Sequence, residues 1–133
     1  MENETQKRKV LIVEDEAPMR EVLTDKFSRE GFSVLQANDG EEGLAIATTE
    51  KPDAILLDVV MPKMDGMTML RKIREVNEWG KKVPVVILTN LTANDKIMTG
   101  VVAAEPSYYL VKSDSKIDDI VQKVRECLGE TPA

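Results

Sequence analysis

The amino-acid sequence predicts a doubly wound α/β sandwich, a parallel sheet with helices on both faces, and three observations carry that expectation. Short, near-continuous apolar runs rich in β-branched residues recur along the chain, as strands covered on both faces require. Segments of helical periodicity separate these runs, so strand and helix alternate five times. Neither a linker, a repeat nor a low-complexity stretch interrupts the alternation.

The strands come first. Val10-Leu11-Ile12-Val13 ends at Glu14-Asp15, and Ala54-Ile55-Leu56-Leu57 ends at Asp58. Val83-Pro84-Val85-Val86-Ile87-Leu88 ends at Thr89, and Tyr108-Tyr109-Leu110-Val111 ends at Lys112. A weaker fifth run is Phe32-Ser33-Val34-Leu35. Between them, Pro18 suits a first helical turn, Val22, Leu23 and Phe27 follow at helical spacing, and Gly31 stops the segment. Residues 41 to about 49 hold Leu44 and Ile46 among alanines. After Asp65-Gly66, Met67, Leu70, Ile73 and Val76 repeat at three- and four-residue steps, and a further helix is expected from 93 to about 104 around Ile97 and Val101. The last helix has the plainest stripe, Ile117, Ile120, Val121, Val124 and Leu128, with Asp114 or Ser115 as its cap and Gly129 as its end. Such alternation implies right-handed helical crossovers; periodicity alone does not give the strand order.

Bulk properties narrow the function. The chain has 133 residues, one domain's worth, at 42% hydrophobic and 32% charged residues, the balance of a soluble globular protein. Its net charge is −6, with no basic stripe, which argues against direct contact with nucleic acid or an anionic membrane. It has no histidine, so a Ser-His-Asp relay, a histidine zinc site and a phosphohistidine carrier are all excluded. A single cysteine, Cys127, precludes an internal disulfide and reads as a core residue of the final helix. No apolar segment reaches the length of a secretory or membrane-spanning sequence, and a cytoplasmic location is expected.

In a parallel sheet the C-terminal strand ends share one edge, where ligands of open α/β sheets bind. The residues expected at that edge are Glu14, Asp15, Asp58, Thr89 and Lys112. Each alone has an ordinary reading as a cap, a turn or a surface residue; together they amount to three carboxylates, a hydroxyl and an ammonium. Gathered carboxylates repel one another unless a cation neutralises them, and oxygen ligands without histidine or cysteine suit Mg²⁺. A lysine and a hydroxyl beside such a cation suit a phosphoryl group.

The runs Val10-Leu11-Ile12-Val13-Glu14-Asp15-Glu16, Leu57-Asp58-Val59-Val60-Met61-Pro62-Lys63-Met64-Asp65-Gly66, Leu88-Thr89-Asn90 and Tyr109-Leu110-Val111-Lys112 carry a resemblance. In order and spacing they resemble the landmarks of bacterial two-component response-regulator receiver domains, stand-alone or isolated from a longer chain. The resemblance runs from about Lys9 to Leu128, with 1–8 and 130–133 as tails around a domain at 9–129. It implies a flavodoxin-like five-stranded parallel sheet of order 2-1-3-4-5 with five helices. It assigns Asp58 as phosphoacceptor, with Glu14, Asp15, Asp58 and the Val60 backbone carbonyl holding Mg²⁺ or Mn²⁺. Lys112 and Thr89 then bind the phosphoryl oxygens, and Thr89 and Tyr109 form the switch, with Tyr108 facing the other way. A histidine kinase or histidine phosphotransfer protein is the implied donor, and a downstream protein or an output domain is the reader. The expected state is a monomer, or a dimer through the last helices once phosphorylated.

Three features depart from the family pattern. Ser113 follows Lys112 where proline is usual, and because a non-proline cis bond costs about 2.5–4 kcal/mol, a trans bond is expected. Glu105-Pro106 stands where Gly-Ala is common, ahead of the last strand. Aliphatic Val60 and Leu91, two residues beyond Asp58 and Thr89, flank the path of an attacking water and predict slow self-dephosphorylation. An enzyme acting on an outside substrate is disfavoured, since aspartyl phosphatases of α/β fold carry a second aspartate where Val60 stands. The remaining alternative is a phosphorylation-independent interaction module, against which the presence of acceptor, acidic pair and lysine all count. The methionines at 61, 64, 67 and 69 read mainly as packing around the Asp58 loop and the helix after it.

Overall fold

The computed structural model describes residues 7–58, 66–89, 108–111 and 116–129, with the backbone path alone for Thr89 and 108–111. Five strands, β1 (Lys9–Val13), β2 (Ser33–Ala37), β3 (Ala54–Leu57), β4 (Val85–Thr89) and β5 (Tyr108–Val111), form one sheet. Its order is β2-β1-β3-β4-β5 and every neighbouring pair is parallel, as the resemblance implied. β1 and β3, in the middle, are apolar throughout their buried lengths from Val10 to Val13 and from Ala54 to Leu57. β2 lies at the edge, with Ser33 and Gln36 exposed, which is why its sequence signal is the weakest.

Among the described residues the helices are α1 (Ala17–Arg29), α2 (Gly40–Glu50), α3 (Gly66–Val76), α4 (Glu78–Lys82) and α5 (Ile117–Cys127). Pro18 sits in the first turn of α1, where its missing N–H costs nothing, and Gly31 takes a φ of 98° just beyond the helix end. Leu23 and Phe27 point into the core, but Val22 is 53% exposed and does not belong to the buried stripe. α2 is capped by Asp39, whose Oδ1 accepts the Glu42 N–H at 2.8 Å, while Glu42 Oε1 accepts the Asn38 N–H at 2.6 Å. α3 buries Met69, Leu70 and Ile73, whereas Val76 at its end is 41% exposed.

The sequence pattern does not predict α4, a single short helix too brief to show a stripe. Asn77 Oδ1 accepts the Gly80 N–H at 2.9 Å to start it. Arg74 Nη1 then donates to the carbonyls of Gly80 and Val83, at 3.0 and 2.6 Å. Gly80 packs so closely on α3 that a Cβ there would collide with the Ile73 carbonyl oxygen. Trp79 Nε1 donates to the Pro52 carbonyl at 3.1 Å, which ties α4 to the segment ahead of β3. The N-cap of α5 is Lys116, which corrects the expectation of Asp114 or Ser115; Asp119 Oδ2 accepts the Lys116 N–H at 3.1 Å. The helix expected at 93 to about 104 and the Lys112-Ser113 bond lie outside the described residues.

The sheet separates two cores. Leu11, Val13, Ile55, Leu57 and Ile87 pack with Ala47 of α2 and Met69, Leu70 and Ile73 of α3. Val10, Ile12, Leu56, Val86 and Leu88 pack on the other face with Leu23 and Phe27 of α1 and Ile120, Val121 and Val124 of α5. Alternation along β1, β3 and β4 sends neighbouring side chains to opposite layers, as a doubly wound sheet demands. Cys127 is partly buried and packs against the second core. No helix among the described residues is long and apolar enough to cross a membrane.

Candidate functional site

Strand register brings the acidic residues together. Val13 is paired with Leu57 and Leu57 with Ile87, so the residues after them leave the sheet at one level. The ladder continues a step past the strands: the Asp58 N–H donates to the Val13 carbonyl at 3.1 Å, and the Glu14 N–H to the Ala37 carbonyl at 3.1 Å. Both acidic residues therefore start from backbone fixed by the centre of the sheet. Glu14 is 2% and Asp58 8% exposed, while Asp15 opens to solvent. One carboxylate oxygen from each of Glu14, Asp15 and Asp58 lies within 4.8 Å of the other two.

Two neighbours hold the strand-to-helix turn in place. The Glu16 N–H donates to Glu14 Oε2 at 3.2 Å. Arg20, in α1, donates from Nη1 to the Glu14 backbone carbonyl at 2.8 Å. Like charges at such separations repel one another, and positive charge joining them relieves that repulsion. The donors are all oxygen, and histidine is absent from the chain, so the set fits a hard divalent cation such as Mg²⁺ or Mn²⁺ and not zinc.

The other expected site residues are described less fully. Thr89 ends β4, level with Val111 of β5 and one residue beyond the pair Leu88 and Leu110; its hydroxyl lies outside the described atoms. Tyr109 is paired in register with Ile87, level with Leu57 and Val13, and the directions of its side chain and that of Tyr108 are likewise outside the description. Lys112 and Val60 lie outside the described residues. Arg20 was not foreseen from the sequence, because a contact from a side chain to a backbone carbonyl six residues away leaves no residue pattern to read.

A five-stranded parallel sheet with acidic residues clustered beyond its two central strands defines a doubly wound α/β domain able to hold a divalent cation. Residues 10–125 match the family model of the response regulator receiver domain. A probable transcriptional regulator ycf27 of Guillardia theta is 35% identical over 94% of this chain and 47% of its own length. The response regulator MprA of Mycobacterium leprae is 31% identical over 92% of this chain and 52% of its own length. The chain thus spans about half the length of these curated relatives. Among solved structures, the chemotaxis protein CheY4 of Vibrio cholerae superposes with a TM-score of 0.83 at 27% identity, covering 91% of this chain and 98% of that one. CheY in a CheX-CheY-BeF3-Mg²⁺ complex from Borrelia burgdorferi gives a TM-score of 0.79 at 30% identity, over 90% of this chain and 87% of that one. The chain belongs to the response regulator receiver domain family.

Proposed function

We propose that this receiver domain accepts a phosphoryl group on Asp58 and uses the resulting charge to switch a partner-binding face. The observation that carries the reading is the cluster of Glu14, Asp15 and Asp58 oxygens within 4.8 Å, two of these residues buried, at the C-terminal strand edge. The group is drawn from the phosphohistidine of a histidine kinase or histidine phosphotransfer protein. An Asp58 carboxylate oxygen attacks phosphorus, a P–O bond forms, the donor's P–N bond breaks, and the released imidazole takes a proton from solvent.

The chain's own residues supply position and charge. Glu14 and Asp15, with Asp58 and the Val60 carbonyl, would hold the divalent cation, Mg²⁺ or Mn²⁺. When bound, that cation neutralises the carboxylates and the phosphoryl oxygens. Lys112 adds a second positive charge and Thr89 a hydroxyl donor. Catalysis by a weak carboxylate nucleophile is then chiefly alignment and neutralisation. The acyl phosphate carries about −1.5 to −2 charge at neutral pH, draws Thr89 toward it, and leaves room for Tyr109 to turn, shifting the balance between two pre-existing states. Water later attacks phosphorus, returning the free carboxylate and inorganic phosphate. The domain acts on no outside substrate in this scheme, resides in the cytoplasm, and signals through a downstream protein or an output domain. Its net charge of −6 disfavours direct nucleic-acid contact.

The decisive experiment is intact mass spectrometry after incubation with Mg²⁺ and acetyl phosphate, beside Asp58→Asn. A single phosphoryl adduct that needs Mg²⁺ and is absent from the variant is the expected result. Folded protein that binds Mg²⁺ yet takes no adduct would instead establish the phosphorylation-independent module. Once formed, the adduct is expected to decay slowly, because the residues two positions beyond Asp58 and Thr89 in the sequence, Val60 and Leu91, are both aliphatic; a lifetime of seconds with Mg²⁺ present would contradict that.

A further inference from the structure

Arg20 stands in the first turns of α1, partly buried, and reaches back over the helix start to the Glu14 carbonyl, 2.8 Å from its Nη1. That carbonyl belongs to the peptide joining Glu14 to Asp15. Glu14 is anchored twice more, by its N–H to the Ala37 carbonyl at 3.1 Å and by the Glu16 N–H on its Oε2 at 3.2 Å. Asp15 is exposed, so the direction in which its side chain leaves depends on the peptide plane before it. Arg20 donates a hydrogen bond to the carbonyl oxygen in that plane.

We infer that Arg20 is a positioning residue for the cation site: by holding the peptide between two of its carboxylates, it sets their mutual geometry and with it the preference for Mg²⁺. The inference rests on the reading of Glu14, Asp15 and Asp58 as cation ligands. Two effects of Arg20 oppose each other. Its guanidinium charge, near the carboxylates, repels an incoming cation, so removing it by that route tightens binding. Its hydrogen bond orders the ligands, so removing it by that route weakens binding. The charge is partly exposed and screened, so its effect on affinity is about fivefold or less, whereas groups that orient metal ligands typically control affinity by about 10- to 100-fold. Geometry therefore outweighs charge here.

The two effects also differ between cations. Mg²⁺ demands near-ideal octahedral geometry at short distances, while Ca²⁺ accepts longer and looser arrangements. Losing a charge shifts both affinities the same way; losing geometry weakens Mg²⁺ more. The test is calorimetric titration of the full chain with MgCl₂ and with CaCl₂, for wild type, Arg20→Met and Arg20→Lys, with melting in chelator as the check on folding. Arg20→Met is expected to weaken Mg²⁺ binding about tenfold and Ca²⁺ much less. Arg20→Lys keeps the charge but replaces the planar fork with one flexible ammonium, and its preference for Mg²⁺ over Ca²⁺ is expected to fall about threefold. If Arg20→Met does not fold, the Lys variant decides alone.

An unchanged Mg²⁺ to Ca²⁺ ratio in the Lys variant overturns the inference, as does a Met variant that binds both cations more tightly or both equally more weakly. Wild-type protein that binds no Mg²⁺ and takes no adduct would instead overturn the cation site itself. The two failures are thus separable.

Discussion

At the C-terminal edge of the sheet, Glu14, Asp15 and Asp58 bring like charges within 4.8 Å of one another. Where α1 runs beside α5, opposite charges meet instead. Lys26 lies 2.6 Å from Asp118 and 3.2 Å from Glu30, and Arg125 lies 2.8 Å from Glu30 while also donating to its backbone carbonyl at 3.0 Å. The Arg125 guanidinium also covers the Phe32 ring at 5.2 Å, and that ring meets Phe27 edge-on at 5.2 Å. The second region completes itself from within the chain. The first gathers three carboxylates at the strand ends, where their mutual repulsion is useful once a cation joins them. Charge that pairs internally is structural; charge gathered with its own kind points to function.

The largest effect expected at the acidic edge is the complete loss of the phosphoryl adduct in Asp58→Asn. Next comes the cation: Mg²⁺ at a hundred times its dissociation constant should stabilise wild type by about 2.7 kcal/mol, and Asp58→Asn far less. Denaturant melts followed by Trp79, the single tryptophan, would read this. Equal gains in both proteins would place the cation elsewhere. In chelator the order should invert, with Asp58→Asn more stable than wild type by about 1 kcal/mol, because one of three mutually repelling charges is gone. A less stable variant would mean that Asp58 is held mainly by favourable partners.

The paired region should give the smallest responses, and they should depend on pH. Arg125 first, then Lys26, holds the Glu30 carboxyl below its ordinary value of 4.5, and Lys26 holds Asp118 below 3.8. Their contribution is complete above those ordinary values and fades as pH falls through the lower values of the folded state. Asp118, then Glu30, raises Lys26 above 10.5, so its share is complete below that and fades only as pH rises through the raised value. Glu30→Gln should accordingly lower the melting midpoint slightly at pH 6, less at high salt, and the difference from wild type should shrink in acid. A gap that stays constant down to pH 3, an interval of about 1.5 units below the ordinary glutamate value, would show that the side chain acts by packing and not by charge.

Much of this arrangement was legible in the sequence. Each of the five apolar runs became a strand, and the runs of β1 and β3, buried on both faces, left an unbroken apolar signature. Because each run stops at a polar residue, Glu14, Asp15 and Asp58 could be assigned to one edge before any coordinates. Spacing served the helices less well. Val22 and Val76 fit the apolar periodicity yet face solvent, because a stripe read by steps of three and four does not fix where its boundary lies. The α4 helix is held by Asn77, Arg74 and Trp79 through contacts to backbone carbonyls and amides, which leave no apolar pattern. Arg20 escaped notice for the same reason. The cap of α5 went to Lys116, where the matching carboxylate comes from inside the helix at Asp119.

The two cores divided by the sheet have a consequence for how the domain can vary. Met69 and Ile73 share one layer and Phe27 and Val124 the other, with the sheet between them. Packing changes in separate layers should then combine additively, with little epistasis across the sheet. Each helical layer is in effect a separate panel on a common frame. One panel can be re-cut for a new recipient of the signal while the other keeps its shape, and the carboxylates at the rim, seated on the frame, keep their spacing.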